Sequence, residues 1–307
     1  MKVVVLTGGV GGAKLVLGLT HIMSRPADLT AIVNTGDDFS HLGLHISPDI
    51  DTLLYTLSGR ANQAQGWGRE GESWSFLAAL RELGGEDWFA LGDGDLALHV
   101  LRSMRLARGD SLTAITRDFA AAWHIGCDVL PMSDMRVATC LDTDEGMLEF
   151  QRYFVERRCA PAVRTIRFAG AEAARPAPGV LEAIAEAQAI LIAPSNPYLS
   201  IDPLLAVPGI AAALEGATAP VVAVSPLVGG KAVKGPTAKL MAELGIPVDN
   251  HAIAAHYAGL IDGLLIHADD PAPAGVATAN TDTLMHTLED RIRVAKTALD
   301  LVRRIAG

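Results

Sequence analysis

The sequence predicts an α/β protein: a doubly wound, mostly parallel Rossmann-like sheet with a helical insertion. Three observations predict it. The chain opens on Lys2-Val3-Val4-Val5-Leu6-Thr7, a β-branched run without the polar alternation of a half-exposed strand. That is the pattern of a strand covered on both faces. The run stops at Gly8-Gly9-Val10-Gly11-Gly12 and a helical pattern follows, the strand–glycine–helix opening of a βαβ unit. Short apolar runs alternating with helical stretches return over the second half.

The first helix is expected from Ala13 to about Met23, with Leu15, Leu17, Leu19 and Ile22 as its apolar contacts. The second strand, Leu29 to Val33, ends in Asn34-Thr35-Gly36-Asp37-Asp38. Between Leu53 and Trp123 no comparable β-branched run occurs. Helices are expected there at Leu53–Leu57, Trp74–Leu83, Leu96–Leu106 and Leu112–Trp123, with Ser111 placed to cap the last. Val137–Leu141 and Leu148–Phe154 read as a hairpin around the Asp142–Gly146 turn. Alternation then resumes with strand Val163–Phe168, helix Val180–Ala187 and strand Ala189–Ala193. Helix Gly209–Leu214, strand Val221–Val224, helix Pro236–Leu244, strand Leu264–Ile266 and helix Leu284–Ile305 complete the pattern. The Pro- and Ala-rich stretch 173–178 is too short to divide domains. The expected organisation is a single α/β domain over residues 1–307, with a mainly helical insertion at about 53–125.

Composition narrows the function. With 307 residues, 50% of them hydrophobic and 20% charged, the chain is neither disordered nor a disulfide-stapled miniprotein. Its 35 Asp and Glu against 25 Lys and Arg give a formal charge of −10, which argues against a nucleic-acid partner, because duplex binding needs a cationic surface. Cys127, Cys140 and Cys159 are odd in number and lack C-x-x-C spacing, so reduced thiols are expected. The N-terminus does not read as a signal peptide, and no apolar run reaches the ~18 residues needed to cross a bilayer. A cytoplasmic protein with no membrane partner is expected. The histidines show no clustered zinc spacing.

Three groups of residues can carry chemistry. Gly8, Gly9, Gly11 and Gly12 with Lys14 stand where a parallel strand meets a helix N-terminus, a place suited to a nucleotide phosphate. The spacing fits neither G-x-G-x-x-G nor the P-loop pattern, and a plain tight turn is the alternative. The aspartate pairs Asp37 and Asp38, Asp49 and Asp51, and Asp93 and Asp95 supply hard oxygen ligands of the kind that hold Mg²⁺ against a phosphate. Helix caps and solvated loop charges are the alternative. Pro194-Ser195-Asn196-Pro197, Ser225-Pro226, and Lys231 and Lys234 around the next turn follow buried strands, at the edge where open α/β sheets bind ligands. Such residues also make ordinary turns. Trp67, Trp74, Trp88 and Trp123 all fall in the helical block, as core packing or as the wall of a pocket for a flat ring.

Taken together, Gly8–Lys14, Asn34–Asp38, Ser47-Pro48-Asp49-Ile50-Asp51-Thr52, Gly66-Trp67-Gly68, Leu91-Gly92-Asp93, Leu130-Pro131-Met132-Ser133-Asp134, Pro194–Pro197 and Lys234-Gly235-Pro236 form an ordered series. In this series the chain resembles the 2-phospho-L-lactate transferase family of deazaflavin-coenzyme biosynthesis, from the first strand to about Gly245. The resemblance implies a phosphotransferase that moves a 2-phospholactyl or phosphoenolpyruvyl-type group from a guanosine diphosphate ester to the ribityl hydroxyl of the deazaflavin riboside Fo, releasing GMP. It implies Mg²⁺ as cofactor, with Asp37, Asp38 and Asp49 as metal candidates and Asp49 and Asp51 as the catalytic pair. Asp51 also stands at the position implied to contact Fo. The glycine run, Lys14, Asn34, Ser195, Asn196 and Lys234 are the implied substrate-binding residues. The chain departs from the family at Gly94, where Arg or Lys is usual, at Met135, where an aspartate is common, and at His267, where an acidic residue is usual. The missing cation at Gly94 predicts a wider, less positive acceptor pocket that binds Fo weakly and gains affinity in Gly94→Arg; the alternative is that another arginine, such as Arg69 or Arg102, already fills the space, in which case the substitution would clash. The competing class is a nucleotide-sugar-binding regulator without turnover, or a diverged transferase with another acceptor. The residues do not fix the oligomeric state, a homodimer being among the options.

Overall fold

In a computed structural model, which describes residues 1–232 and 235–307, the expected architecture is present. Strand β1 (Val3–Thr7) runs into helix α1 (Gly9–Ile22), and β2 (Leu29–Val33) follows. A hairpin of β3 (Phe39–His41) and β4 (Leu44–Ile46) leads to helices α2 (Pro48–Leu57), α3 (Ser75–Glu82), α4 (Asp93–Ala107) and α5 (Leu112–Ala122). Next come β5 (Asp128–Pro131), β6 (Ala138–Thr143), β7 (Gly146–Glu149) and β8 (Val163–Ala169). Helix α6 (Val180–Glu186), β9 (Ala189–Ile192), α7 (Asp202–Leu205), α8 (Ile210–Glu215) and β10 (Val221–Val224) restore the alternation. The chain closes with β11 (Leu227–Val228), β12 (Lys231–Ala232), α9 (Thr237–Glu243), α10 (Asn250–His256), β13 (Gly263–His267), β14 (Ala277–Thr281) and α11 (Leu288–Ala306).

Seven of these strands form one sheet in the order β14-β13-β10-β9-β1-β2-β5. Every neighbouring pair in it is parallel, with Val5 level with Ala31 on one side and Leu191 on the other. The chain builds outward from β1 through β2 to β5, then returns to the other side of β1 at β9. The switch point of this doubly wound sheet therefore lies between β1 and β9, which is where such sheets open a ligand crevice at their carboxyl ends.

The lack of alternation in β1 has a direct cause. Val3 and Val5 face a core built with α1, α2, α5 and α11, while Val4 and Leu6 face a second core built with α6, α8 and the segments around α10. Both faces are covered, so neither register tolerates a polar residue. Helices α2 and α5 belong to the first of these cores through Ile50, Leu53, Leu54, Ile115 and Phe119. Only α3 and α4 form an outer layer of the helical block, and each buries few residues.

Several expectations are corrected. Helix α1 starts at Gly9, inside the glycine run rather than at Ala13, because Gly9 takes φ +64 and turns the chain straight from the strand into the first helical turn. The strand at 163–168 exists, but β8 pairs antiparallel with β6 in a separate three-stranded sheet. The second arm of the hairpin ends at Glu149, and residues 152–156 form a π-helical turn. Strands β3, β4, β5 and β14 and helix α10 were not expected. No helix among the described residues is long and apolar enough to cross a membrane.

Candidate active site at the switch point

The ends of β1 and β9 are tied together by one hydroxyl. Ser195 Oγ donates to the Gly8 carbonyl at 2.7 Å and accepts from the Gly8 N–H at 3.2 Å. The first turn of α1 lies directly on this junction. A Cβ at Gly11 would stand 2.8 Å from the Pro194 carbonyl oxygen, and one at Gly12 would stand 3.0 Å from Ser195 Oγ and closer still to Thr7 Oγ1. These glycines let the backbone close on the β9 loop and bring the α1 N-terminus to the crevice.

The N-terminus of α1 is held from across the site. Asp49, in the first turn of α2, accepts from the Gly9 N–H at 2.8 Å through Oδ1 and from Asn34 Nδ2 at 2.9 Å through Oδ2. Asn34 in turn accepts from the Gly36 N–H at 2.8 Å, which shapes the loop carrying Asp37 and Asp38. Asp49 thus does cap a helix, but the helix is α1 rather than its own. Burial pushes its carboxyl up to about 6 against the two hydrogen bonds, with Asp38 and Asp51 adding to the rise.

Asp37 and Asp38 are 5% and 7% exposed. Burial raises both, and the Asp49 charge lifts Asp37 well above the usual carboxylate range. Asp38 Oδ2 accepts from Ser47 Oγ at 2.7 Å and from His45 Nε2 at 3.0 Å. Asp37 Oδ1 and Asp38 Oδ1 are buried without a hydrogen-bond partner among the described residues. Buried acceptors left in that state are costly, and here they belong to the same acidic group as Asp49, which holds the Gly9 N–H.

Among the described residues no group of three or more His, Cys, Asp or Glu side chains forms a metal cage. Mg²⁺ does not require one, because it commonly takes one or two carboxylates and completes its shell with waters and substrate phosphate. The two orphaned oxygens fit that mode. Asp49, with both oxygens engaged by Gly9 and Asn34, fits it less well than the three-aspartate expectation held.

Asp51 lies one helical step away but in a different setting. Both its oxygens accept from Arg102, Nη1 at 3.1 Å to Oδ2 and Nη2 to Oδ1. Arg102 comes from α4, is 0% exposed, and also donates to the His45 carbonyl at 3.4 Å. Tyr55, one turn along α2, donates to Asp95 Oδ1, and His99 Nε2 lies 3.1 Å from Asp95 Oδ2 in poor alignment. This buried network bolts α4 onto α2 beneath the site. Each Asp51 oxygen keeps a second lone pair, so the pairing does not bar a ligand. Nothing in the sequence marked Arg102 as the partner.

The remaining expected residues divide. Lys14 Nζ donates to the Met285 carbonyl at 2.6 Å, on the side of α11. Asn196 Oδ1 accepts from the Tyr198 and Leu199 N–H groups at 3.0 and 3.1 Å, capping the π-helical turn 197–201, while its Nδ2 is buried without a partner. That amide is a free donor beside Ser195. Lys234 lies outside the described residues. Asp93 is a structural acceptor that caps α3 through the Ser75 and Phe76 N–H groups.

Of the two readings at Gly94, the structure favours the alternative, that another arginine already fills the space. The volume above Gly94 is filled by Arg69, whose Cζ would stand 2.8 Å from a Cβ there, with Nη1 closer. The region is not short of a cation; it takes one from another segment.

Residues 3–304 match the family model described as 2-phospho-L-lactate transferase CofD. A protein named phosphoenolpyruvate transferase from Kitasatospora aureofaciens is 44% identical over 99% of both chains. Proteins of the same name from Streptomyces griseus and Mycolicibacterium smegmatis are 41% and 36% identical, over 99% and 98% of both chains. A crystal structure of a UPF0052 family member from Bacillus halodurans superposes with a TM-score of 0.64 at 20% identity, over 97% of this chain and 98% of that one, a likeness of fold. The match across nearly the whole length places the chain in the 2-phospho-L-lactate transferase CofD family of transferases.

Proposed function

We propose that the protein transfers a phosphoenolpyruvyl-type group from a guanosine diphosphate ester to the ribityl hydroxyl of the deazaflavin riboside Fo, releasing GMP. The observation that carries this reading is the pair of orphaned carboxylate oxygens, Asp37 Oδ1 and Asp38 Oδ1, buried in the same acidic group as Asp49, which holds the α1 N-terminus. They suit a cation that offsets the charge of a diphosphate better than they suit an empty core. The enolpyruvyl donor is preferred to lactyl or glyceryl because the relatives matching over their full length carry that name. Three free cysteines fit a cytoplasmic setting.

In this reading the acceptor hydroxyl attacks the acyl-side phosphorus, the bridging P–O bond breaks, and GMP leaves with the bridging oxygen. Asp49, raised to about 6, is matched to take the hydroxyl proton near neutral pH. The Gly9–Gly12 backbone and the Asn196 amide bind and orient the guanylyl half. Mg²⁺ held by Asp37 and Asp38 would offset charge on the diphosphate and the leaving group. The rest is positioning, which dominates phosphoryl transfer generally.

Calorimetric titration with GDP, UDP and ADP in Mg²⁺ tests the donor half. GDP is expected to bind at least about tenfold more tightly than either, a difference of ~1.4 kcal/mol. Equal affinities would remove the guanylyl assignment, and a preference for UDP would favour a nucleotide-sugar binder.

A further inference from the structure

The hairpin of β3 and β4 follows Asp37 and Asp38 directly, with 3 residues in each arm. Its turn, Leu42-Gly43, takes φ +52 and +77, the pair of positive values that a two-residue type I′ connection requires. Glycine meets that requirement freely, whereas leucine meets it under strain. The tight turn fixes the register: Phe39 lies opposite Ile46, Ser40 opposite His45 and His41 opposite Leu44. A slip of one residue would exchange the two faces. One face is apolar. Phe39 and Ile46 are buried there with Leu91, and the Phe39 ring meets the Phe89 ring edge-on at 4.9 Å. The other face carries Ser40 and His45.

The backbone of His45 is taken by α4. Its N–H donates to Ser103 Oγ at 2.7 Å, and its carbonyl accepts from Arg102 Nη1 at 3.4 Å. Ser103 Oγ donates in turn to the His99 carbonyl at 2.7 Å. Side chains of α4 thus do for this hairpin edge what a third strand would do. His45 is held by its main chain, and its imidazole is left to reach back to Asp38. There Nε2 lies 3.0 Å from Oδ2, which Ser47 Oγ also approaches at 2.7 Å. These two donors occupy both lone pairs of Oδ2, while Oδ1 is buried without a partner among the described residues. The imidazole is 31% exposed and the Asp38 side chain only 6%. Water could serve the imidazole in place of this contact, so the contact matters chiefly to the carboxylate.

Resting on the proposed cation role of Asp37 and Asp38, we infer that His45 is a positioning residue: with Ser47 it holds Asp38 by one oxygen so that the other is presented to a divalent cation. A partner of this kind fixes the orientation of a ligating carboxylate and raises metal affinity without touching the metal. Here it acts from a strained hairpin pinned by α4. The same helix fixes Asp51 through Arg102, so α4 sets the orientation of carboxylates on both sides of β4.

The test titrates Mn²⁺ into the full chain with GDP present and reads it by electron paramagnetic resonance, since Mn²⁺ takes the same oxygen ligands as Mg²⁺. His45→Ala should raise the Kd for Mn²⁺ about tenfold or more, the usual effect of removing such a partner. His45→Gln keeps an N–H donor at the same reach and should recover most of that loss. With a chelator in place of Mn²⁺, both variants should bind GDP as the native protein does, because His45 acts through the cation. Unchanged Mn²⁺ affinity in His45→Ala, or a loss that His45→Gln leaves unrelieved, overturns the inference. An equal loss of GDP affinity in the chelator also overturns it, because that marks a structural defect of the whole site. A native protein that binds no Mn²⁺ alongside GDP overturns the cation role of Asp37 and Asp38, and the inference with it.

Discussion

Asp37→Asn is expected to lower turnover by at least about 100-fold while making the magnesium-free protein more stable. The loss follows if a carboxylate holding the cation contributes even ~3 kcal/mol of transition-state stabilisation. The gain follows from burial. The folded carboxyl of Asp37 titrates well above its ordinary value because it is desolvated and faces Asp49. A raised folded pKa favours folding below the unfolded value and loses that contribution as pH rises through the raised one. Without Mg²⁺, stability should therefore fall as pH climbs from about 4, through about 6 for the Asp49 share and onward for the Asp37 share, since Asp37 is held well above the ordinary carboxylate range. The Asp37→Asn variant should remove the Asp37 share of the decline, leave the Asp49 share, and gain about 1 kcal/mol at pH 8. Thermal melts across pH, with and without Mg²⁺, read this directly. Asp49→Asn should behave differently. One of its two donors, the Gly9 N–H or the Asn34 amide, would face an NH₂ group, so this variant should lose both activity and about 1–3 kcal/mol of stability. Wild-type turnover in both variants with a chelator present would exclude the metal role of these carboxylates.

Arg102→Leu carries the largest expected stability effect. Its guanidinium is fully buried, paired at both oxygens of Asp51 and stacked 6.0 Å over the Phe119 ring. Removing one partner leaves Asp51 buried and uncompensated, a situation that costs about 3–5 kcal/mol. Denaturant unfolding should show that loss. Adding Asp51→Asn to the same chain should recover a substantial part of it, because the stranded charge is then gone. Additive losses in the double variant would mean that the two side chains do not stabilise each other.

How much of this was legible follows from what each segment buries. Strands β1, β2, β9 and β10 announce themselves because both faces are covered and the residues are β-branched. The edge strands do not. β5 reads Asp-Val-Leu-Pro and β14 reads Ala-Thr-Ala-Asn-Thr, and a strand with one neighbour tolerates proline and polar residues that a central strand cannot. β8 carried only a weak signal, since its apolar Val163, Ile166 and Phe168 are broken by Arg164, Thr165 and Arg167 and Val163 falls out of step with the other two, while only Val163 is buried. The glycine run, Asp37, Asp38, Asp49, Ser195 and Asn196 were legible because their chemistry sits at strand ends. Arg69 and Arg102 were legible only as two arginines that could fill the space at Gly94; that Arg69 does so while Arg102 pairs with Asp51 was not. Each acts through a long side chain that crosses from another segment, and local spacing does not record which arginine will be buried or where its fork will end. The choice between an empty and a filled space at Gly94 stayed open in the sequence for the same reason, and Arg69 is the residue that fills it.

The central claim is tested most directly by the masses of the products formed from Fo and a guanosine diphosphate ester of enolpyruvate in Mg²⁺. The account predicts a phosphodiester of Fo retaining one phosphorus and the enolpyruvyl group, with GMP released in equal amount. Release of GDP with an adduct lacking phosphorus, or GMP formed without any adduct of Fo, would contradict it.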